Sequence, residues 1–247
     1  MSFSLLVHAL EPKPDRKDLE EITVDVASVA RADAAGILQG WFGIVSSGLP
    51  LTEAHAFQTG LRTLGCETDI VPDSDVPALH HDFRCHLIDL DAESITLTTA
   101  MNRRQVRSRS ELVFAAAGVV ERERPESDYE LCPEVRYAQG AAYSVNVPKR
   151  VSKTVEKVHF RIDLFFTAAP HRISLEMDQD SVITYGGRPL RMKNRTELTV
   201  LMCDLNSLLP PDRQNLALRL LSTDPLYPSL NTYEEEIRWM FYRLGAR

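Results

Sequence analysis

His80, His81, Cys85 and His86 are the densest set of potential metal ligands in the chain. Zinc needs three or four imidazole or thiolate donors converging tetrahedrally. On an extended strand His81, Phe83 and Cys85 would point to one face and His86 to the other. No second Cys or His cluster stands at a metal-site spacing, so a linker histidine pair leading into an ordinary strand is expected, with no metal ligand. Glu176, Asp178 and Asp180 alternate with Met177 and Gln179 and could present three carboxylates on one face of a hairpin, as calcium uses. The stretch lacks the glycine and downstream glutamate of a calcium loop, and an exposed turn between two strands is expected instead. Arg103, Arg104, Arg107 and Arg109 form a short basic run after the turn-forming Asn102. Together with the basic stretch Lys149, Arg150, Lys153 and Lys157 it could hold a phosphate or an anionic lipid headgroup. Arg103, Arg104, Arg107 and Lys149 are the candidate anion-binding residues. The alternative is a solvated strand face balanced by neighbouring glutamates. Little aromatic interleaving accompanies these bases, so nucleobase stacking is not expected.

Nucleophilic and nucleotide chemistry have no recognisable motif. There is no G-x-S-x-G elbow, no Walker glycine loop and no Rossmann glycine fingerprint after a strand. His81-Asp82 is an adjacency in sequence and does not define a triad. No catalytic residue and no cofactor are therefore expected, although catalytic groups assembled from distant segments would leave no such trace.

The elements that would position these residues begin with a strand-like run from Phe3 to Leu10. Leu19, Ile22, Val26 and Val29 then recur on one face of a helix starting near Asp15. Trp41 to Val45, closed by Gly48-Leu49-Pro50, fits a short buried strand. Ala54, Phe57, Leu61 and Leu64 form a second helical stripe, with Thr52 as the expected N-cap and Gly65 as the left-handed terminator. Thr68 to Val71 closes the unit before a linker from Pro72 to Pro77.

This strand–helix–helix–strand–helix–strand order over residues 1–76 resembles the C-terminal domain of the bacterial ribosomal stalk protein. The matching stretches are Ala32-Asp33-Ala34-Ala35-Gly36-Ile37-Leu38, Ser47-Gly48-Leu49-Pro50-Leu51-Thr52-Glu53-Ala54 and Leu61-Arg62-Thr63-Leu64-Gly65-Cys66-Glu67. In that family basic residues on the first two helices help recruit translation GTPases. Here the corresponding stretch from Asp15 to Asp25 has more acids than bases, so the resemblance implies the fold and not the role.

From Phe83 the texture is strand-rich: Phe83–Leu90, Ile95–Thr99, Gln105–Ala117, Val158–Phe166, Arg172–Met177 and Val182–Tyr185, the last followed by the turn Gly186-Gly187-Arg188-Pro189. Residues 121–157 are polar, contain three prolines, and read as a mobile excursion with one short strand around Ala141–Val147. Three helices finish the chain: a stripe of Leu198, Leu201, Met202, Leu205, Leu208 and Leu209, a helix capped by Asp212, and a last helix with Thr232-Tyr233-Glu234-Glu235 as its capping box. Strands followed by a long amphipathic helix over 79–209 resemble the layout of a pleckstrin-homology-like or GRAM-like barrel. Such barrels host phosphoinositide, peptide or structural roles.

The expected fold class is α+β, with a small domain at 1–76 and a larger strand-rich domain at 79–247. At 247 residues, 44% hydrophobic and 26% charged, the composition is that of a globular protein. No long apolar run or signal-peptide start is present, so no integral membrane segment and a cytoplasmic location are expected. Cys66, Cys85, Cys132 and Cys203 are widely spaced and read as reduced thiols. Residues 1–78 hold 5 Lys/Arg against 12 Asp/Glu, and the remainder holds 23 of each, so the excess negative charge sits at the start of the chain. An acidic surface repels phosphate backbones, which argues against nucleic acid and for a basic protein partner; a solvated surface with no partner is the alternative, and a homo-oligomer stays open. The leading expectation is a non-enzymatic interaction module contacting its partner through Trp239, Phe241 and Tyr242 of the last helix, since large aromatics anchor interfaces, with burial of that face inside the same chain as the alternative. The alternatives are an anionic-ligand or lipid-headgroup site and an unrecognised enzyme.

Overall fold

Side-chain alternation along the strands decides how the layers of this α+β protein stack. The structure, a computed structural model, describes residues 1–11, 13–27, 41–138, 141–169 and 171–245; over 122–131, 134–138, 141–143, 145 and 151–157 it describes the backbone alone. The short helix expected near Ala32 and the Val29 position of the first stripe lie outside the described residues.

The first sheet is three-stranded: β1 (Phe3–Val7) lies between β2 (Ile44–Leu49) and β3 (Thr68–Pro72), antiparallel to both. Helix α1 (Arg16–Ala27) starts where expected, with the Asp15 carboxylate accepting from the Lys17 N–H. Helix α2 (Leu51–Thr63) buries Ala54, Phe57 and Leu61, and the chain leaves it through Gly65 at φ +76°. Its start differs from the expectation: Pro50, not Thr52, is the N-cap, its extended ψ of 148° marking the entry to the helix at Leu51 without a side-chain cap. Strand β2 also runs further than Trp41–Val45 suggests. Gly48, at φ +76°, lets the strand shift register against β1 and continue to Leu49.

The central sheet has five strands in the order β13-β8-β9-β10-β4, formed by Pro225–Tyr227, Leu112–Ala138, Ala141–Phe166, Arg172–Met177 and Phe83–Cys85. The outer sheet, also five-stranded, has the order β12-β11-β5-β6-β7, formed by Arg188–Leu190, Ile183–Tyr185, Leu87–Leu90, Ser94–Thr98 and Arg104–Ser108. The segment 83–90 breaks at His86 and serves both sheets, β4 parallel to β10 and β5 parallel to β11. One face of the central sheet (Ala115, Ala117, Val119, Ile162, Leu164) meets Ile88, Ile95 and Leu97 of the outer sheet and helix α3 (Arg195–Asn206). The opposite face (Phe114, Ala116, Val120, Phe165) shares a core with the first sheet and with helix α5 (Leu230–Arg243). The apolar core of residues 1–76 is thus continuous with that of Tyr227, Tyr233, Ile237 and Trp239.

Residues 121–157 differ most from their sequence reading. They form no loop: β8 and β9 remain paired residue by residue from Glu121↔Val158 to Ala138↔Ala141. Beyond Val120 and Phe160 no other strand pairs with them among the described residues, so they leave the sheet as a two-stranded ribbon. Eighteen residues of β8 at about 3.3 Å each make roughly 60 Å of strand. Backbone pairing between two strands puts no periodic mark on either sequence, which is why this stretch reads as loop. The register sets Glu126 opposite Lys153 and Glu130 opposite Lys149.

Two further caps move. Helix α4 (Leu216–Leu220) is capped by Asn215, and Asp212 lies in a separate 3-10 turn. Helix α5 is capped by Ser229, whose hydroxyl accepts from the Thr232 N–H at 3.1 Å, leaving Thr232 buried inside the helix. All four cysteines are unpaired thiols, and burial pushes Cys85 up to about 11. No described helix is long and apolar enough to cross a membrane.

Candidate functional site

Every strand of the outer sheet contributes to one cleft. Arg104 from β7, Thr96 from β6, Asp89 and Leu90 from β5, Tyr185 from β11, and Arg188 and Leu190 from β12 line a cavity of about 630 Å³. Thr196, Glu197 and Val200 of helix α3 form its remaining wall. The tight hairpin between β11 and β12 makes this possible: Gly186 and Gly187 both take positive φ, so Tyr185 and Arg188 stand directly opposite each other. The Tyr185 hydroxyl donates to the Asp204 carboxylate and so fastens the hairpin to α3. Burial first, and then Asp204, raise the pKa of that hydroxyl, which keeps it a neutral donor.

The two guanidiniums are the uncommitted groups of this cleft. Arg104 donates to the Thr96 hydroxyl at 3.5 Å, and neither Arg104 nor Arg188 is ion-paired among the described residues. Guanidinium forks hold carboxylate or phosphate oxygens bidentately. No histidine or cysteine is among the described residues that line the cavity.

A second concentration of charge is buried. Asp163, fully buried, accepts from Arg161 at 2.7 and 3.2 Å and from Arg172 at 2.8 Å. Arg161 also donates to Asp82 at 3.0 Å, and Arg172 to Glu234 at 2.6 Å. Burial acts against the charged form of Arg161, but Asp163 outweighs it and holds the guanidinium protonated. Burial likewise raises the Asp82 carboxyl, and the Ser174 hydroxyl and Arg161 more than reverse this. A cleft of about 390 Å³ opens beside the network, lined by His80, His81, Asp82, Arg172, Glu234 and Arg238. Its cations are already engaged: Arg172 by two carboxylates and Arg238 by the Pro77 carbonyl at 3.0 Å. The network clamps β9, β10, the segment before β4 and helix α5 together, and the sequence marked none of it. Its one visible signal is the alternation His159, Arg161, Asp163 within an apolar run.

Of the candidate anion-binding residues, only Arg104 lines the outer-sheet cleft. Arg103 is exposed in the preceding turn. Arg107 is spent on structure: it donates to the Ala169 carbonyl, lies over the Phe166 ring at 5.7 Å and pairs with Glu111 at 3.6 Å. Lys149 is on the ribbon opposite Glu130, and no described contact joins it to the arginines. Arg188, read from the sequence as part of a turn, completes the pair instead.

Of the candidate interface aromatics on the last helix, Trp239 is buried, and Phe241 and Tyr242 are half-buried. Trp239 donates to the Val7 carbonyl at 2.7 Å and packs on Gly43, where an added Cβ would lie 2.3 Å from the ring. Phe241 stacks edge-on against Phe114 and Phe165. Tyr242 borders a groove along β3 with Ile70 and Val71. That surface is the seam between α5 and the first sheet.

His80 stacks on His171 at 4.9 Å, His81 faces the smaller cleft and Cys85 is buried; no group of three metal-ligating side chains converges among the described residues. Glu176 reaches Arg161 at 3.6 Å, whereas Asp178 closes a turn onto Ser181 at 2.7 Å, so these carboxylates do not converge.

Comparison of the chain with models of known families, with curated proteins and with solved structures finds no match.

Proposed function

We propose that the protein binds a small ligand bearing an oxyanion in the outer-sheet cleft. One observation carries this reading: Arg104 and Arg188, from the two edge strands of the same sheet, line one cavity and neither guanidinium is ion-paired among the described residues. Neither guanidinium closes on a carboxylate of the cavity, so each keeps N–H donors for an oxyanion of a ligand. The cavity volume lies in the range of small-molecule sites. Isothermal titration with inorganic phosphate at low ionic strength tests it. Saturable binding that weakens with added salt and in Arg104→Gln/Arg188→Gln is expected; equal binding by wild type and variant sinks the reading.

A protein-contact role is the second reading, supported by the ribbon rather than by the aromatics of α5. Past Val120 and Phe160 the ribbon is held by its own pairing, and Lys149 and Arg150 are exposed on it. Affinity purification from the native cell, with the full chain and with the ribbon replaced by a tight turn, separates the two readings. Partners lost only from the shortened chain would support ribbon docking; identical partner sets would exclude it.

A further inference from the structure

The ligand class can be narrowed, on the basis of the oxyanion reading above. Besides the two arginines, the cleft is lined by Asp89, Asp91 and Glu197. No nitrogen of Arg104 or Arg188 comes within 4.0 Å of any of these carboxylates. Opposite charges that share a cavity without closing on each other are held apart by the scaffold. Here β7 and β12 hold the cations at the sheet edges, while Asp89 stands on the central strand β5, Asp91 follows that strand, and Glu197 sits in the first turn of α3. The acids outnumber the arginines, so a bare anion gains at the guanidiniums and loses at the carboxylates. A ligand carrying an ammonium group as well as an oxyanion complements both sides.

We infer that the cleft takes a zwitterion of about dipeptide size, its carboxylate on Arg104 and Arg188 and its ammonium toward Asp89 and Asp91. Leu90, Leu190 and Val200 supply an aliphatic wall for the body of the ligand, and about 630 Å³ is room enough for a dipeptide. The Asp91 carboxylate is positioned by the Ser94 hydroxyl, 3.2 Å away, and keeps further lone pairs for a donor.

The test compares three probes on the full chain by isothermal titration: leucyl-alanine, N-acetyl-leucyl-alanine, which lacks the ammonium, and leucyl-alanine amide, which lacks the carboxylate. The free dipeptide is expected to bind at least ten-fold more tightly than either blocked form. Asp89→Asn/Asp91→Asn is expected to erase the discrimination against the acetylated peptide while leaving the discrimination against the amide. The wild-type comparison stands even if that variant does not fold. If the acetylated peptide binds as tightly as the free one, the ammonium is not read; the zwitterion proposal falls and the oxyanion reading stands. If the dipeptide and the acetylated peptide fail to bind while inorganic phosphate binds through the arginines, the outcome is the same. If none of these probes binds, or binding is unchanged in Arg104→Gln/Arg188→Gln, both fall.

Discussion

Asp163 carries the largest single-residue consequence. It is fully buried between two guanidiniums, and removing it leaves both charges in the interior without their shared partner. Asp163→Ala should lower unfolding free energy by about 3–5 kcal/mol in urea titration; a loss below about 1 kcal/mol would show that water reaches the site. Glu236 makes a pH-dependent prediction. It is fully buried in α5, accepting from the Leu216 N–H and the Tyr227 hydroxyl, both at 2.6 Å. Burial pushes its carboxyl up from 4.5 to about 7, beyond what those hydrogen bonds offset. The fold therefore prefers the protonated form, and the associated stability is complete below pH 4.5 and lost as pH rises through about 7. At about 1.4 kcal/mol per unit this amounts to about 3 kcal/mol. Denaturant titrations from pH 5 to 8 should show that decline in the wild type and a shallower one in Glu236→Gln, where Glu235, also raised by burial, still contributes; parallel profiles would remove Glu236 as the cause. Residues of this kind are poorly legible in sequence. Arg161 and Asp163 alternate with Phe160, Ile162 and Leu164 as on a half-exposed strand, and only the packing of α5 onto that face turns a polar side into a buried one.

At the scale of elements, legibility followed the apolar stripe. Helix α2 was readable from Ala54, Phe57 and Leu61 because one face is buried and the rest is solvated. The caps were not, because capping residues recur every few positions. Ser229 and Thr232 both precede suitable donors, and the geometry of the chain leaving Tyr227 selects the first. The ribbon was the hardest element to see, since its pairing is between strands and leaves no periodic mark on either. Its self-contained pairing also predicts that it can be removed. Replacing 122–157 with Asn-Gly should join Glu121 to Val158 through a two-residue hairpin and leave the melting temperature within a few degrees. A large loss would mean that the ribbon packs on the body. Gly118 tests the opposite situation, an element that must approach closely. A Cβ there would lie 2.8 Å from the Tyr227 ring of β13, so Gly118→Ala should cost about 1–3 kcal/mol in urea titration, and a neutral result would indicate that β13 shifts freely.

For the whole molecule, the central sheet is the organising layer. It is buried on both sides, by the outer sheet and α3 on one and by the first sheet and α5 on the other. The α+β class and most strands were readable, but this double burial was not, because it depends on the last helix returning to Val7. The candidate cleft was half legible for the same reason. Arg104 stood out in a basic run, whereas Arg188 looked like a turn residue until the strand order placed β7 and β12 at the edges of one sheet. The most direct test of the binding account is arginine side-chain NMR of the full chain during a phosphate titration at low salt, with the signals assigned by substitution. The Nε–Hε resonances of Arg104 and Arg188 should move together with one shared dissociation constant, while those of Arg161 and Arg172 stay fixed. Arginines of the cleft that do not move, or that move with unrelated affinities, would contradict a common site.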